Sequence, residues 1–113
     1  MKVYKSDSIR NVALIGHSGE GKTSLAEAML YAAKSIDRLG KVDDGTSTMD
    51  YDSEEISRRI SINLALGYLE WADKKINIID VPGFFDFEGE MTAALHVVES
   101  AVLVTSDSGS LTV

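Results

Sequence analysis

The sequence predicts an α/β fold with helices over a mixed sheet, and three observations carry that reading. A short run rich in β-branched residues, "IRNVALIG" at 9–16, stops at a glycine as a buried strand does. Helical apolar spacing follows it, with Leu25, Ala28, Met29 and Ala32 at i, i+3, i+4 and i+7. Two further runs of strand length, "KINIID" and "AVLVT", lie on either side of a second helical stretch.

Taken in order, the strand at 9–16 leads into a helix from Lys22 to Lys34, whose last turn gains a favourable positive charge. Residues 37–59 are polar and acidic and have no period. Asp43, Asp44, Asp50, Asp52, Glu54 and Glu55 lie here, in a connection long enough to suggest function or disorder. The acids lack the spacing of a calcium loop, so a solvated segment is the better reading. Strict alternation then places Ile60, Ile62, Leu64, Leu66 and Tyr68 on one face of a half-buried strand. A tight turn at "ADK", 72–74, joins it to "KINIID" as a hairpin. Met91, Ala94, Leu95 and Val98 mark a helix at about 88–99, and "AVLVT", 101–105, reads as a central strand, apolar on both faces.

The chain has 113 residues, enough for one domain or a piece of one. With 44% hydrophobic and 26% charged residues it has the balance of a folded domain, not a disordered one. A formal charge of −7 disfavours broad binding to free nucleic acid or to an anionic membrane. There is no cysteine, which removes disulfides, thiolate zinc and thiol catalysis. "MKVYKSDSIR" has no signal-peptide core, and no apolar run approaches the roughly 20 residues that span a bilayer. A cytoplasmic setting without membrane contact is expected. The ending "DSGSLTV" follows an apolar run with no closing helix, so a truncation after the fourth strand is expected, with self-association through the 101–105 edge.

"GHSGEGKT", residues 16–23, satisfies G-x-x-x-x-G-K-[ST] with Gly16, Gly21, Lys22 and Thr23 at the required places. It follows a strand and opens a helix, the context in which backbone N–H groups and a helix N-terminus cradle polyphosphate. The binding residues on this reading are Gly16, His17, Ser18, Gly19, Glu20, Gly21, Lys22 and Thr23. Lys22 would reach the β/γ-phosphates, and the Thr23 hydroxyl would ligate Mg²⁺. "DVPG" follows the second hairpin strand, where nucleoside triphosphatases carry a Mg²⁺-associated Asp. Asp80, Val81, Pro82 and Gly83 therefore join the site, Asp80 on the metal and the Gly83 N–H on the γ-phosphate. His17 and His96 make no metal pair, and His17 contributes its backbone more than its ring.

Three stretches together, "GHSGEGKTSLAEAML", "MDYDSEEISRRISI" and "NIIDVPGFFDF", resemble the GTPase domain of translation elongation factor G, especially its factor-G-like paralogues. The resemblance runs from about Ile9 to Val113. It implies a P-loop NTPase of the translational GTPase type: the N-terminal portion, here 1–113, of a GTPase domain in a longer factor that acts on the ribosome. It also implies GTP/GDP as ligand, with a phosphate loop at 16–23, a first switch at about 37–62 and a second at 80–88. The family's guanine-reading Asn-Lys-x-Asp would lie beyond Val113. Its Arg-Gly-Ile-Thr-Ile matches "RRISI", so Ser61 takes the Mg²⁺-binding Thr position and Arg59 replaces a Gly. Its loop Asp, as in "HIDAGK", is Gly19 here. Its Asp-Thr-Pro-Gly-His becomes "DVPGF", so Phe84 occupies the catalytic His position. Phe neither donates nor accepts a hydrogen bond and cannot orient water, so weak or altered conversion of GTP to GDP and phosphate is expected. The alternative is a non-hydrolysing, GTP-dependent regulatory module on the ribosome.

Overall fold

A computed structural model of the chain describes residues 2–17, 20–41, 44, 46, 48–49, 57, 64–83 and 88–105. A 3-10 turn at Ser6–Ser8 leads into β1 (Ile9–Ile15), α1 (Lys22–Ala32), β2 (Ala65–Trp71) and β3 (Lys74–Asp80). Then come α2 (Glu88–Leu95) and β4 (Ser100–Leu103). The sheet runs β2-β3-β1-β4, with β1 parallel to both neighbours and β2 antiparallel to β3. A mixed sheet flanked by helices is the expected α/β architecture.

The hairpin turn is Ala72–Asp73, both residues left-handed at φ 48° and 59°. Two left-handed residues match the twist of the strands they join, which makes this the tight form of hairpin connection. On the far side of the hairpin the Tyr4 hydroxyl donates to Glu70, and that bond pushes the Tyr4 pKa up to about 12.

The helices lie on opposite faces of the sheet. Ala26 and Leu30 of α1 close one core with Leu14, Ala65, Leu69, Ile78 and Met49. Ala94 of α2 closes the other with Ala13, Ile79 and Val81, flanked by Met91 and Val98. Leu14 and Ile78 are fully buried, and each such side chain contributes about 1.5–3 kcal/mol.

Three expectations change. The face of β2 is inverted: Ala65 and Leu69 are buried, while Leu66 is 71% exposed and Tyr68 is also exposed. The cause is Gly67, where an added Cβ would lie 3.1 Å from Met49 Sδ and 3.4 Å from a Leu30 methyl. The absent side chain lets α1 and Met49 close on that face, so the larger residues turn outward. Ile60 and Ile62, the start of the expected alternation, lie outside the described residues. The buried stripe of α1 is also rotated, from Leu25, Ala28 and Ala32 to Lys22, Thr23, Ala26, Glu27 and Leu30. Polar residues with dedicated partners occupy the inward face, and apolar periodicity cannot register them. In the described sheet β4 is the outermost strand and all four of its residues are exposed. The second helix is also shorter than expected, turning after Leu95 through a bond from Val97 N–H to the Ala94 carbonyl at 3.1 Å.

That turn delivers Glu99 to β1. Its carboxylate accepts from the Asn11 peptide N–H at 2.8 Å and from Asn11 Nδ2 at 3.0 Å, while Asn77 Nδ2 donates to Asn11 Oδ1 at 2.8 Å. The bonds from Asn11, the backbone one first, hold the Glu99 carboxyl below the usual range. A depressed carboxyl stabilises the fold above its unfolded pKa, about 4.3, and the contribution is lost as pH falls through the lower folded value. The melting temperature of Glu99→Gln should therefore fall below wild type at pH 6 and converge with it below about pH 4. Thermal melts across that pH range check this.

Candidate functional site

The end of β1 is where the two halves of the sheet part. Val81 N–H donates to the Leu14 carbonyl at 3.3 Å on one side, and Val104 N–H to the Ile15 carbonyl at 2.8 Å on the other. The crossover through α1 covers one face and the crossover through α2 the other. Open α/β sheets bind ligands in the crevice at the carboxyl ends of strands where this reversal occurs. Gly16 leaves β1 at that point with φ 145°, and a Cβ there would lie 2.4 Å from the Val104 carbonyl oxygen. Only glycine lets the chain turn away from β4 so closely.

The loop returns at Gly21, left-handed at φ 93° and the N-cap of α1, whose carbonyl accepts from Leu25 N–H at 2.8 Å. The Lys22 ammonium folds back across the loop and donates to the His17 carbonyl at 2.8 Å. The same His17 carbonyl accepts from Glu20 N–H at 3.4 Å. Lys22 is almost fully buried, and burial holds its pKa below the ordinary lysine range, against the opposing pull of Asp80 and Glu20. A buried cation at a helix N-terminus favours an anionic ligand that restores its lost solvation.

Thr23 follows and donates its hydroxyl to Oδ2 of Asp80, the last residue of β3. Asp80 is fully buried, and Val81 and Pro82 after it are buried as well. The fold thereby joins two motifs 57 residues apart, one hydroxyl and one carboxylate in contact below the phosphate loop. Both are hard oxygen donors of the kind Mg²⁺ takes, and a site with few protein ligands leaves room for water and phosphate. These residues fit that ion. Gly83, two residues beyond Val81, is half-buried. The described structure joins Glu20 and Lys22 to His17, Thr23 to Asp80 and Val81 to the end of β1, with Gly16, Gly21, Pro82 and Gly83 adjoining these residues along the chain. Ser18, Gly19, Ser61 and Phe84 lie outside the described residues, as does most of the acidic stretch.

One residue of this region escapes motif reading. Glu27, one helical turn beyond Thr23 on the same face, is 1% exposed and accepts from Gly40 N–H, Thr48 N–H and the Thr48 hydroxyl. Its only signal in the sequence is a carboxylate on the helix face that Thr23 also occupies.

A strand, a glycine-bounded loop, a helix opening on Lys-Thr and an Asp from the neighbouring parallel strand define a P-loop nucleotide-binding domain. Residues 7–111 match the elongation factor Tu GTP binding domain, and the chain belongs to that family. The elongation factor G-like protein of Mycobacterium tuberculosis (strain ATCC 25618 / H37Rv) is 45% identical over 96 residues, 85% of this chain and 13% of that protein. Elongation factor G 1 of Treponema denticola is 37% identical over 105 residues, 93% of this chain and 15% of that protein. A crystal structure of a Thermus thermophilus protein superposes with a TM-score of 0.83 at 38% identity, covering 86% of this chain and 15% of that one. The chain thus spans a small fraction of the relatives it matches. The resemblance to factor G is borne out.

Proposed function

We propose that this chain is the phosphate- and Mg²⁺-binding part of the GTPase domain of a factor-G-like protein that works on the ribosome in the cytoplasm. The observation that carries this reading is the Thr23–Asp80 contact beneath a loop across which Lys22 is folded. In it, the N–H groups of 16–23 hold the α- and β-phosphates, and the Lys22 ammonium leaves the His17 carbonyl for the β/γ oxygens. Thr23, Asp80 and, in the GTP state, Ser61 would hold Mg²⁺, which would supply positive charge against the phosphate oxygens. Gly83 N–H meets the γ-phosphate.

Water then displaces GDP from the γ-phosphoryl group, giving GDP and inorganic phosphate, and the rate depends on how that water is positioned. Phe84 has no group with which to hold it. In the full-length factor, Phe84→His should raise ribosome-stimulated single-turnover GTP hydrolysis by about a hundredfold or more, the scale of a positioned imidazole. No increase would show that this position does not limit the reaction. Tight GTP binding without turnover in either protein would select the non-hydrolysing regulatory module instead.

A further inference from the structure

Strand β2 ends the described sheet on the side away from β4. Its pairing with β3 runs without interruption from Ala65, opposite Asp80, to Trp71, opposite Lys74. In an antiparallel pair every second residue turns both its N–H and its carbonyl away from the partner strand. β2 therefore carries a row of backbone donors and acceptors along its outer edge, and no described strand takes them. Edges of this kind are ordinarily guarded by a proline, a lysine or a bulge. "ALGYLEW" contains no proline and no lysine, and its continuous register contains no bulge. Its one charged side chain, Glu70, accepts from the Tyr4 hydroxyl. What the strand exposes instead is apolar: Leu66 at 71%, Trp71 at 61% and Tyr68 at 45%.

A groove of about 410 Å³ lies beside this edge. Leu66, Gly67 and Tyr68 all line it. The side chains of consecutive strand residues alternate between faces, so three in a row share one cavity only along the strand's edge. The rest of the apolar lining comes from Leu30, Ala33 and Ile36, at and just after the end of α1, and from Met49. Gly67 keeps the strand backbone close to that lining, for a Cβ there would lie 3.1 Å from Met49 Sδ. On the strand itself, the Lys75 ammonium 5.0 Å from the Tyr68 ring centre holds the ring in place. An open edge beside an apolar groove suits another extended chain, whose backbone continues the sheet and whose alternate side chains enter the groove.

We infer that the β2 edge is a strand-addition site for an extended peptide segment of a partner protein, apolar at every second position and basic between. Lys34 and Glu70 line the groove with one charge of each sign, so the charge of the whole chain selects the occupant. At a formal −7 it repels a second copy of itself and favours a basic segment. Two-fold pairing of β2 with itself about Tyr68 would also set Leu66 against Glu70. The site is independent of the nucleotide, because the phosphate loop adjoins the start of α1 and the groove its end.

The test uses the isotope-labelled chain without nucleotide and a capped peptide, Thr-Val-Lys-Val-Thr-Val-Lys. Adding the peptide should shift the amides of 65–71 more than any others and slow hydrogen exchange at every second residue of β2. An analogue N-methylated at each peptide nitrogen, which cannot donate, should bind at least about tenfold more weakly. A version with Glu in place of Lys should bind about threefold more weakly at low salt. No shift on β2 at millimolar peptide, or equal binding of either analogue, would overturn the inference. So would slow exchange at consecutive residues of β2 before peptide is added, since another part of this chain would then cover the edge. Shifts on β2 that grow with protein concentration alone would overturn it in favour of a second copy.

Discussion

Lys22→Met should weaken nucleotide binding severely and leave the fold at least as stable. The ammonium is buried against the loop and holds the His17 carbonyl at 2.8 Å. Burial lowers its pKa, so the folded chain carries that proton less readily than the unfolded chain does. The charge therefore opposes folding at neutral pH, and the opposition would ease only as pH rises through the folded value. Met keeps much of the stem without the charge. With phosphate present the balance reverses, because truncating one partner of a desolvated charge pair costs about 2–5 kcal/mol. Nucleotide affinity should fall by at least about 30-fold, with the melting temperature unchanged or raised. Calorimetric titration with GDP, beside a thermal melt of the same samples, reads both effects. A variant that loses binding only because it unfolds would contradict this account.

Gly16→Ala is the second large effect, and it falls on stability. Two costs coincide there. A φ of 145° is strained for any residue with a Cβ, and that Cβ would meet the Val104 carbonyl oxygen at 2.4 Å. Backbone strain of about 1–3 kcal/mol and overpacking of about 1–3 kcal/mol add to a loss of about 2–6 kcal/mol. The melting temperature should drop by about 10 °C or more. Relief comes only if Val104 moves, which breaks its 2.8 Å bond to the Ile15 carbonyl and frees the end of β4. Exchange of the Val104 amide should accelerate more than that of Ile78 in the middle of β3. A drop confined to nucleotide affinity, with Val104 unmoved, would mean that the contact with β4 is not what Gly16 protects.

What could be read from the sequence, and what could not, follows from how each residue is specified. The phosphate loop and "DVPG" were legible because residue type and spacing alone define them, and β1 and β3 because their apolar runs have strand length. The fold then adds the contact between Thr23 and Asp80, which motif order implies but cannot measure. The face of β2 was misread because alternation gives two faces and not which one is buried. Gly67 decides that, through the space it leaves for Met49 and Leu30. The stripe of α1 was misread because Lys22, Thr23 and Glu27 count as polar and yet face inward, Lys22 on the loop before the helix and Thr23 and Glu27 on partners distant in sequence. Glu27 was missed for the same reason. A buried carboxylate is recognisable only once Gly40 and Thr48 are seen to converge on it.

The central claim is that the crevice between Gly16 and Gly83 holds the phosphates of a nucleotide beside Mg²⁺. The most direct measurement is an NMR titration of the isotope-labelled chain with GDP and Mg²⁺, which reports the site even when binding is weak. The largest amide shifts should fall on Gly16, His17, Gly21, Lys22, Thr23, Val81 and Gly83. Shifts centred elsewhere, for example around Tyr68 and Lys34 on the far side of α1, or none at saturating GDP, would contradict it.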